Sequence, residues 1–120
     1  NFLGRIDQNK LPYYYSTASV TVVPSYYESF SMVALESLAC GTPVIAFSVG
    51  GLSTLVQHGL TGYLVPQFSY ESLATNLDAL LSNPTLRQSM GRNARVSSKT
   101  MGWGNIARQV TKIYSSLNSM

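Results

Sequence analysis

Apolar positions in the first half of the chain fall into short unbroken blocks separated by turn residues, not into an alternating pattern. Residues 19–24 (SVTVVP) form a β-branched run ending at a breaker, and residues 43–47 (PVIAF) form another. Continuous runs of this kind read as strands buried on both faces, so both are expected to be interior parallel strands. Between them, residues 29–39 (SFSMVALESLA) read as a helix with Ser29 as the candidate N-cap, and Cys40-Gly41-Thr42-Pro43 marks its end. Strand, helix and strand of these lengths make a βαβ unit. A Gly50-Gly51 turn then leads into a short helical stretch over residues 52–58, where His58 before Gly59 reads as a helix-end residue. Gly59, Gly62 and Pro66 bracket a small strand over residues 63–65.

The second half is helical in period. Leu73, Leu77, Leu80 and Leu81 predict a helix over residues 70–81, which Asn83-Pro84 stops. A helix over residues 86–99 follows, then one over residues 106–117 with Ile106, Val110, Ile113 and Leu117 on one face. Residues 84–120 are thus read as terminal helices. The fold class is α/β, a Rossmann-like parallel sheet with flanking helices. No repeat is seen, and the Tyr13-Tyr14-Tyr15 triplet is the only low-complexity feature.

Length and composition narrow the picture. The 120 residues allow one domain, and 45% hydrophobic against 11% charged residues excludes a disordered chain. No apolar run approaches the roughly 18 residues of a membrane span, and the start resembles no signal peptide, so a cytoplasmic location is expected. A single Cys40 excludes an internal disulfide framework, and with only His58 beside it no metal site is expected. Cys40 reads as a small buried hydrophobe.

The net charge of +3 conceals a split. All five acids precede residue 84, while six of the eight bases follow it. Arg92, Arg95 and Lys99 share one helical face, and Arg108 and Lys112 repeat the spacing. A solvated helix face is the simplest reading. The alternative is peripheral contact with an anionic membrane. No Lys/Arg block is contiguous and few aromatics interleave, so no nucleic-acid partner is expected.

The stretch that carries chemistry is residues 24–36, PSYYESFSMVALE, at the carboxyl end of a parallel strand and running into a helix, where α/β sheets bind ligands. The helix N-terminus directs unpaired N–H groups at the crevice, a setting suited to phosphate. Glu28 precedes the helix and Glu36 lies within it. Extended as a helix, the eight-residue offset turns about 80° and rises about 12 Å, so the two carboxylates would meet different parts of one long ligand. Glu36 sits on a helix that is apolar nearly all round and needs hydrogen-bond donors, either ligand hydroxyls or a local partner. Glu28 on its own equally suits a favourable partner for the helix dipole.

The string from Pro24 to Ala46, followed by VGGL and HGLTGYLVP, resembles the C-terminal domain of the retaining glycosyltransferases of family four (glycosyl transferases group 1), which have the two-domain GT-B fold. The resemblance covers nearly the whole chain, as a partial C-terminal nucleotide-sugar-binding domain over residues 1–120. It implies that Glu28 contacts the donor sugar and places its anomeric carbon, that Glu36 binds the nucleotide ribose, and that the amides of Phe30, Ser31, Met32 and Val33 hold the donor phosphates and sugar. The backbone around Arg5 and Ile6, after a first short strand at Phe2-Leu3, would hold the base. The nucleotide sugar is substrate, with no further cofactor. The resemblance also implies an acceptor-binding N-terminal domain in the same full-length chain.

Two positions depart from the family pattern: Ser31 stands where glycine is frequent, and Thr54 where an acid is common. The Arg and Lys that grip the donor diphosphate in such enzymes are not found, so the sequence is expected to start partway into its domain. One edge of the 19–24 strand is then expected to be unpaired and to favour self-association. The 120 residues alone are expected to be catalytically silent. A non-catalytic nucleotide-binding module and a basic membrane-adherent domain using residues 87–112 are the alternatives.

Overall fold

The computed structural model describes residues 1–100 and Arg108. The elements in chain order are α1 (Leu11–Thr17), β1 (Thr21–Val23), α2 (Met32–Ala39), β2 (Val44–Phe47), α3 (Leu52–Leu55), β3 (Gly62–Val65), α4 (Tyr70–Leu81) and α5 (Pro84–Thr100). Of the expected helix over residues 106–117, only Arg108 is among the described residues.

The strands form one parallel sheet in the order β1-β2-β3, with Val22 opposite Ile45 and Ile45 opposite Tyr63. All four β2 side chains are fully buried, and their alternation divides the core. Val44 and Ala46 pack on one face with Ala34, Leu35 and Leu38 of α2 and Leu52 and Leu55 of α3. Ile45 and Phe47 pack on the other with Val65, Leu80 of α4 and Met90 of α5. Helices cover both faces, which is why β2 is written as an unbroken apolar block.

β1 ends the sheet order among the described residues, and only Val23 of its three residues is buried, so one edge of the 19–24 strand is unpaired, as expected of it. A short β-branched run has the same composition at an edge as in a sheet interior, and neighbours distant in sequence decide which applies. The strand expected at Phe2-Leu3 does not form, and both side chains are exposed. The chain instead turns at residues 7–10, with Lys10 N–H donating to the Asp7 carbonyl, and enters α1, an element absent from the sequence reading.

α5 closes the structure from behind. A Cβ on Gly91 would fall 2.3 Å from the Gly41 carbonyl oxygen, so the absence of a side chain there lets α5 press on the end of α2. Two bases read as a solvated face have structural partners. Arg87 donates to the carbonyls of Leu80 and Leu81 at 2.8 and 2.7 Å, and Arg95 donates to the Cys40 carbonyl at 3.2 Å. Each satisfies carbonyls at a helix C-terminus, where a cation is favoured. No described helix is long and apolar enough to cross a membrane.

Candidate functional site

The loop from Pro24 to Ser31 leaves the carboxyl end of β1 and is held from two sides. On one side, Gly51 N–H donates to the Glu28 carbonyl at 3.1 Å. The approach is so close that a Cβ on Gly50 would fall 1.8 Å from that oxygen, and one on Gly51 would fall 2.4 Å from the Ser29 oxygen. Gly50 has φ +46°, so the turn expected of this pair is present, but it also presses on the loop that carries Glu28. On the other side, Gln67 Nε2 donates to the Tyr26 carbonyl at 2.8 Å. The Tyr26 ring lies 4.9 Å from that of Phe68 and 6.2 Å from that of buried Phe47, and its hydroxyl hydrogen-bonds that of Tyr70. Phe68 holds φ +66°, a conformation rare for a bulky residue, in the turn that delivers this support.

The clamp settles where α2 starts. Ser29 is not the cap: its carbonyl lies close beneath Gly51, and the helix begins only after Ser31. Ser31 is the N-cap, buried, with Oγ accepting from Ala34 N–H at 3.1 Å. Its hydroxyl caps the helix from a buried position and keeps its own proton to donate. Leu35 N–H makes the first helical bond, to the Ser31 carbonyl at 3.1 Å. The N–H groups of Met32 and Val33, in the turn before it, have no helical acceptor. Phe30 and Val33 are exposed beside them. The offset of Glu28 from Glu36 also changes, because residues 28–31 are not helical and the helical rise and rotation do not apply across them. Glu28 is half-buried in the loop, at the positive end of α2.

Glu36 emerges on the face of α2 that meets α1. Gln8 Nε2 donates to its Oε1 over a long 3.4 Å, and Tyr15 of α1 is a neighbour of the carboxylate. A local partner for Glu36 is thus present, the neutral side-chain amide of Gln8. Burial pushes the Glu36 carboxyl above its ordinary range, against the opposing effect of the Tyr15 and Gln8 hydrogen bonds. Burial, then the charge of Glu36, drives the Tyr15 hydroxyl well above the usual tyrosine range. Arg5 is exposed and Ile6 half-buried in the segment just before Gln8. The Gln8 contact ties the segment that follows Arg5 and Ile6 to Glu36.

A raised carboxyl pKa has a defined consequence for stability. The unfolded chain loses the Glu36 proton first, so the contribution of this group is fully present below the ordinary carboxylate pKa and is lost as pH rises through the raised folded value. Glu36→Gln is expected to raise the melting temperature at neutral pH, with the gain shrinking as pH falls toward 4.5, the ordinary value. Parallel melting curves of the two proteins at pH 7 and pH 4.5 provide the check.

Other expected positions are reassigned. α3 ends at Leu55, so His58 closes no helix; its Nδ1 accepts from Leu64 N–H at 3.0 Å and its ring meets the Tyr63 ring edge-on. Cys40 is half-buried, and burial raises its thiol pKa, away from nucleophilic character. Arg92, Arg95 and Lys99 share with Gly41, Gln88, Gly91 and Val96 an open recess of about 460 Å³ at the C-terminal end of α2, away from the loop. Tyr15 and Gln8 are the site residues that sequence reasoning missed. The available signal was Pro12 at the head of a potential helix.

Residues 1–97 match the family described as Glycosyl transferases group 1. The chain is 46% identical over 101 residues to a D-inositol 3-phosphate glycosyltransferase of Kribbella flavida, covering 84% of this chain and 24% of that protein. Among solved structures it is similar to sucrose-phosphate synthase from Thermosynechococcus elongatus, with a TM-score of 0.84 and 43% identity over 99% of this chain and 30% of that one. It is also similar to Anabaena HepE in complex with UDP-glucose, with a TM-score of 0.78 and 26% identity over 97% of this chain and 32% of that one. The chain spans about a quarter of the length of the curated relatives it matches. A parallel α/β sheet whose first strand feeds a glycine-clamped loop and a capped helix, matched across residues 1–97, places this chain in the glycosyl transferases group 1 family, with the α/β architecture of its GT-B members.

Proposed function

We propose that the full-length protein carrying this chain transfers a sugar from a nucleotide-sugar donor to an acceptor with retention of anomeric configuration. The observation that carries the reading is the N-terminus of α2. It is presented at the carboxyl end of β1 by a loop locked under Gly50-Gly51, with N–H groups of Met32 and Val33 lacking helical acceptors and a carboxylate on either side. The structure of HepE with UDP-glucose supports a donor of this class.

In this reading the amides of Phe30, Ser31, Met32 and Val33 receive the donor phosphates, and the positive end of the helix stabilises the charge that grows on the departing diphosphate. Glu28 takes the hydroxyls of the donor sugar and orients its anomeric carbon. Glu36 accepts from the ribose hydroxyls, and the Arg5-Ile6 backbone lies against the base. A donor phosphate oxygen takes the acceptor proton on the face the diphosphate leaves, which yields retention without a dedicated base. No step calls for a metal or a cofactor beyond the donor. The acceptor is held by an N-terminal domain of the same protein, the reaction takes place in the cytoplasm, and the 120 residues alone turn nothing over.

The test is turnover of the full-length protein with UDP- and GDP-linked α-hexoses, following the new glycosidic bond by nuclear magnetic resonance. The expected product carries the α configuration of the donor. A β-linked product would overturn retention, and absence of transfer from every nucleotide sugar would overturn the enzyme reading.

A further inference from the structure

We infer that Phe68, assisted by Gln67, is a positioning residue for Glu28: the strained turn ahead of α4 grips Tyr26 and thereby sets the loop that carries this acid. The inference rests on the proposed role of Glu28 and adds a second element, separate from Gly50-Gly51, through which that role is exercised.

The chain turns between β3 and α4, where Ser69 N–H donates to the Pro66 carbonyl at 3.0 Å. Phe68 is the third residue of this turn and holds φ +66°. A left-handed residue at that position is ordinarily glycine or asparagine, which reach it without a steric clash. Phenylalanine breaks this local rule, and burial does not compensate, because the side chain is 56% exposed. Strain of this kind persists where surrounding contacts over-determine it, and it clusters at functional sites.

The contacts that hold Phe68 in place converge on Tyr26. Three side chains from this one turn reach that residue. Gln67 Nε2 donates to its carbonyl at 2.8 Å, the Phe68 ring lies 4.9 Å from its ring, and the Tyr70 hydroxyl hydrogen-bonds its hydroxyl. Buried Phe47 of β2 meets the same group, its ring 6.2 Å from that of Tyr26 and 5.6 Å from that of Tyr70. Tyr26 is itself 54% exposed, so the grip adds little to the core. Its effect falls on the loop. Tyr26 stands two residues before Glu28, whose own carbonyl accepts from Gly51 N–H at 3.1 Å. The segment from Tyr26 to Glu28 is therefore pinned at both ends, each by a different part of the chain, as a precisely placed side chain on a loop requires. Without the ring of Phe68 and the amide of Gln67, the Tyr26 end would loosen and Glu28 would be held through Gly51 alone.

The experiment uses the full-length protein, with initial rates across the concentration of the UDP- or GDP-linked α-hexose that it turns over, and melting curves of the same preparations. Phe68→Asn accepts the left-handed backbone and removes the ring. It is expected to lower kcat about ten-fold with donor KM unchanged, while the melting temperature stays level or rises as the strain is relieved. Phe68→Tyr retains the ring and is expected to keep the wild-type kcat. Gln67→Leu removes the amide donor at an exposed position and is expected to lower kcat by a smaller factor; it carries the test should Phe68→Asn fail to fold. A lower melting temperature with unchanged kcat in Phe68→Asn would show a structural role and overturn the inference. So would an unchanged kcat in Phe68→Asn beside a loss in Glu28→Gln, and in that case the role of Glu28 would survive. A wild-type kcat in Glu28→Gln would remove the role of Glu28 itself, and the inference with it.

Discussion

An alanine at Gly50 in the full-length protein is expected to lower turnover by at least about 100-fold, the loss associated with misplacing reacting groups by about 1 Å. The cause is steric and does not involve the chemistry of residue 50. Its Cβ would stand 1.8 Å from the Glu28 carbonyl oxygen and 2.9 Å from the Glu28 carbonyl carbon. Both are backbone atoms with no rotamer to give way, and φ of +46° adds strain for any residue with a side chain. Either the 50–51 turn or the loop that holds Glu28 must shift, and the hydrogen bond from Gly51 N–H to the Glu28 carbonyl breaks in both cases. Gly51→Ala should act alike, with its Cβ 2.4 Å from the Ser29 oxygen. The control is Gly59→Asn. Gly59 also has a left-handed φ, +81°, but nothing lies within 4 Å of its would-be Cβ, and asparagine tolerates that conformation. Near wild-type kcat/KM in Gly50→Ala would mean that the clamp does not position the site. A collapse in Gly59→Asn would mean that left-handed backbone alone explains the loss.

The legible parts of this fold are those whose neighbours are written nearby. α4 was readable to its ends because its leucine period and the Ser69 and Asn83-Pro84 boundaries are local. β2 was readable because burial on both faces leaves no polar position in it. The capping residue of α2 was not: Ser29 and Ser31 are chemically equivalent caps, and the choice is made by a glycine pair about twenty residues later that holds Ser29 in the loop. β1 reads the same at an edge as in a sheet interior. α1 was hidden because three consecutive tyrosines show no period, although Pro12 stood at its first turn. Glu36 was conspicuous as an acid on an apolar helix, so the need for donors was readable, whereas Gln8 as a donor, with Tyr15 as a neighbour, is a product of tertiary packing. The roles of Glu28 and of the amides before α2 follow from the family resemblance, and the structure adds the mechanical frame around them.

That frame gives Glu28 and Glu36 different kinetic signatures. Glu28→Gln in the full-length protein is expected to lower kcat by about 100- to 1,000-fold, the scale of losing one preorganised electrostatic contact, with little change in donor KM. Sugar transfer builds positive charge at the anomeric carbon as the diphosphate departs, and a carboxylate beside the sugar interacts with that charge more strongly in the transition state than in the bound donor. Glutamine preserves shape and one acceptor but removes the charge. The Glu28 backbone is fixed by Gly51 and lies directly before the capped helix, so the side chain cannot easily relocate to compensate. Glu36, met by Gln8 and proposed to bind the ribose, would lie away from the bond that breaks, and its glutamine variant should act mainly through donor KM. Initial rates across donor concentration separate the two effects. If Glu28→Gln raises KM and spares kcat, the acid serves ground-state binding alone, and the charge stabilising the transition state must come from another group.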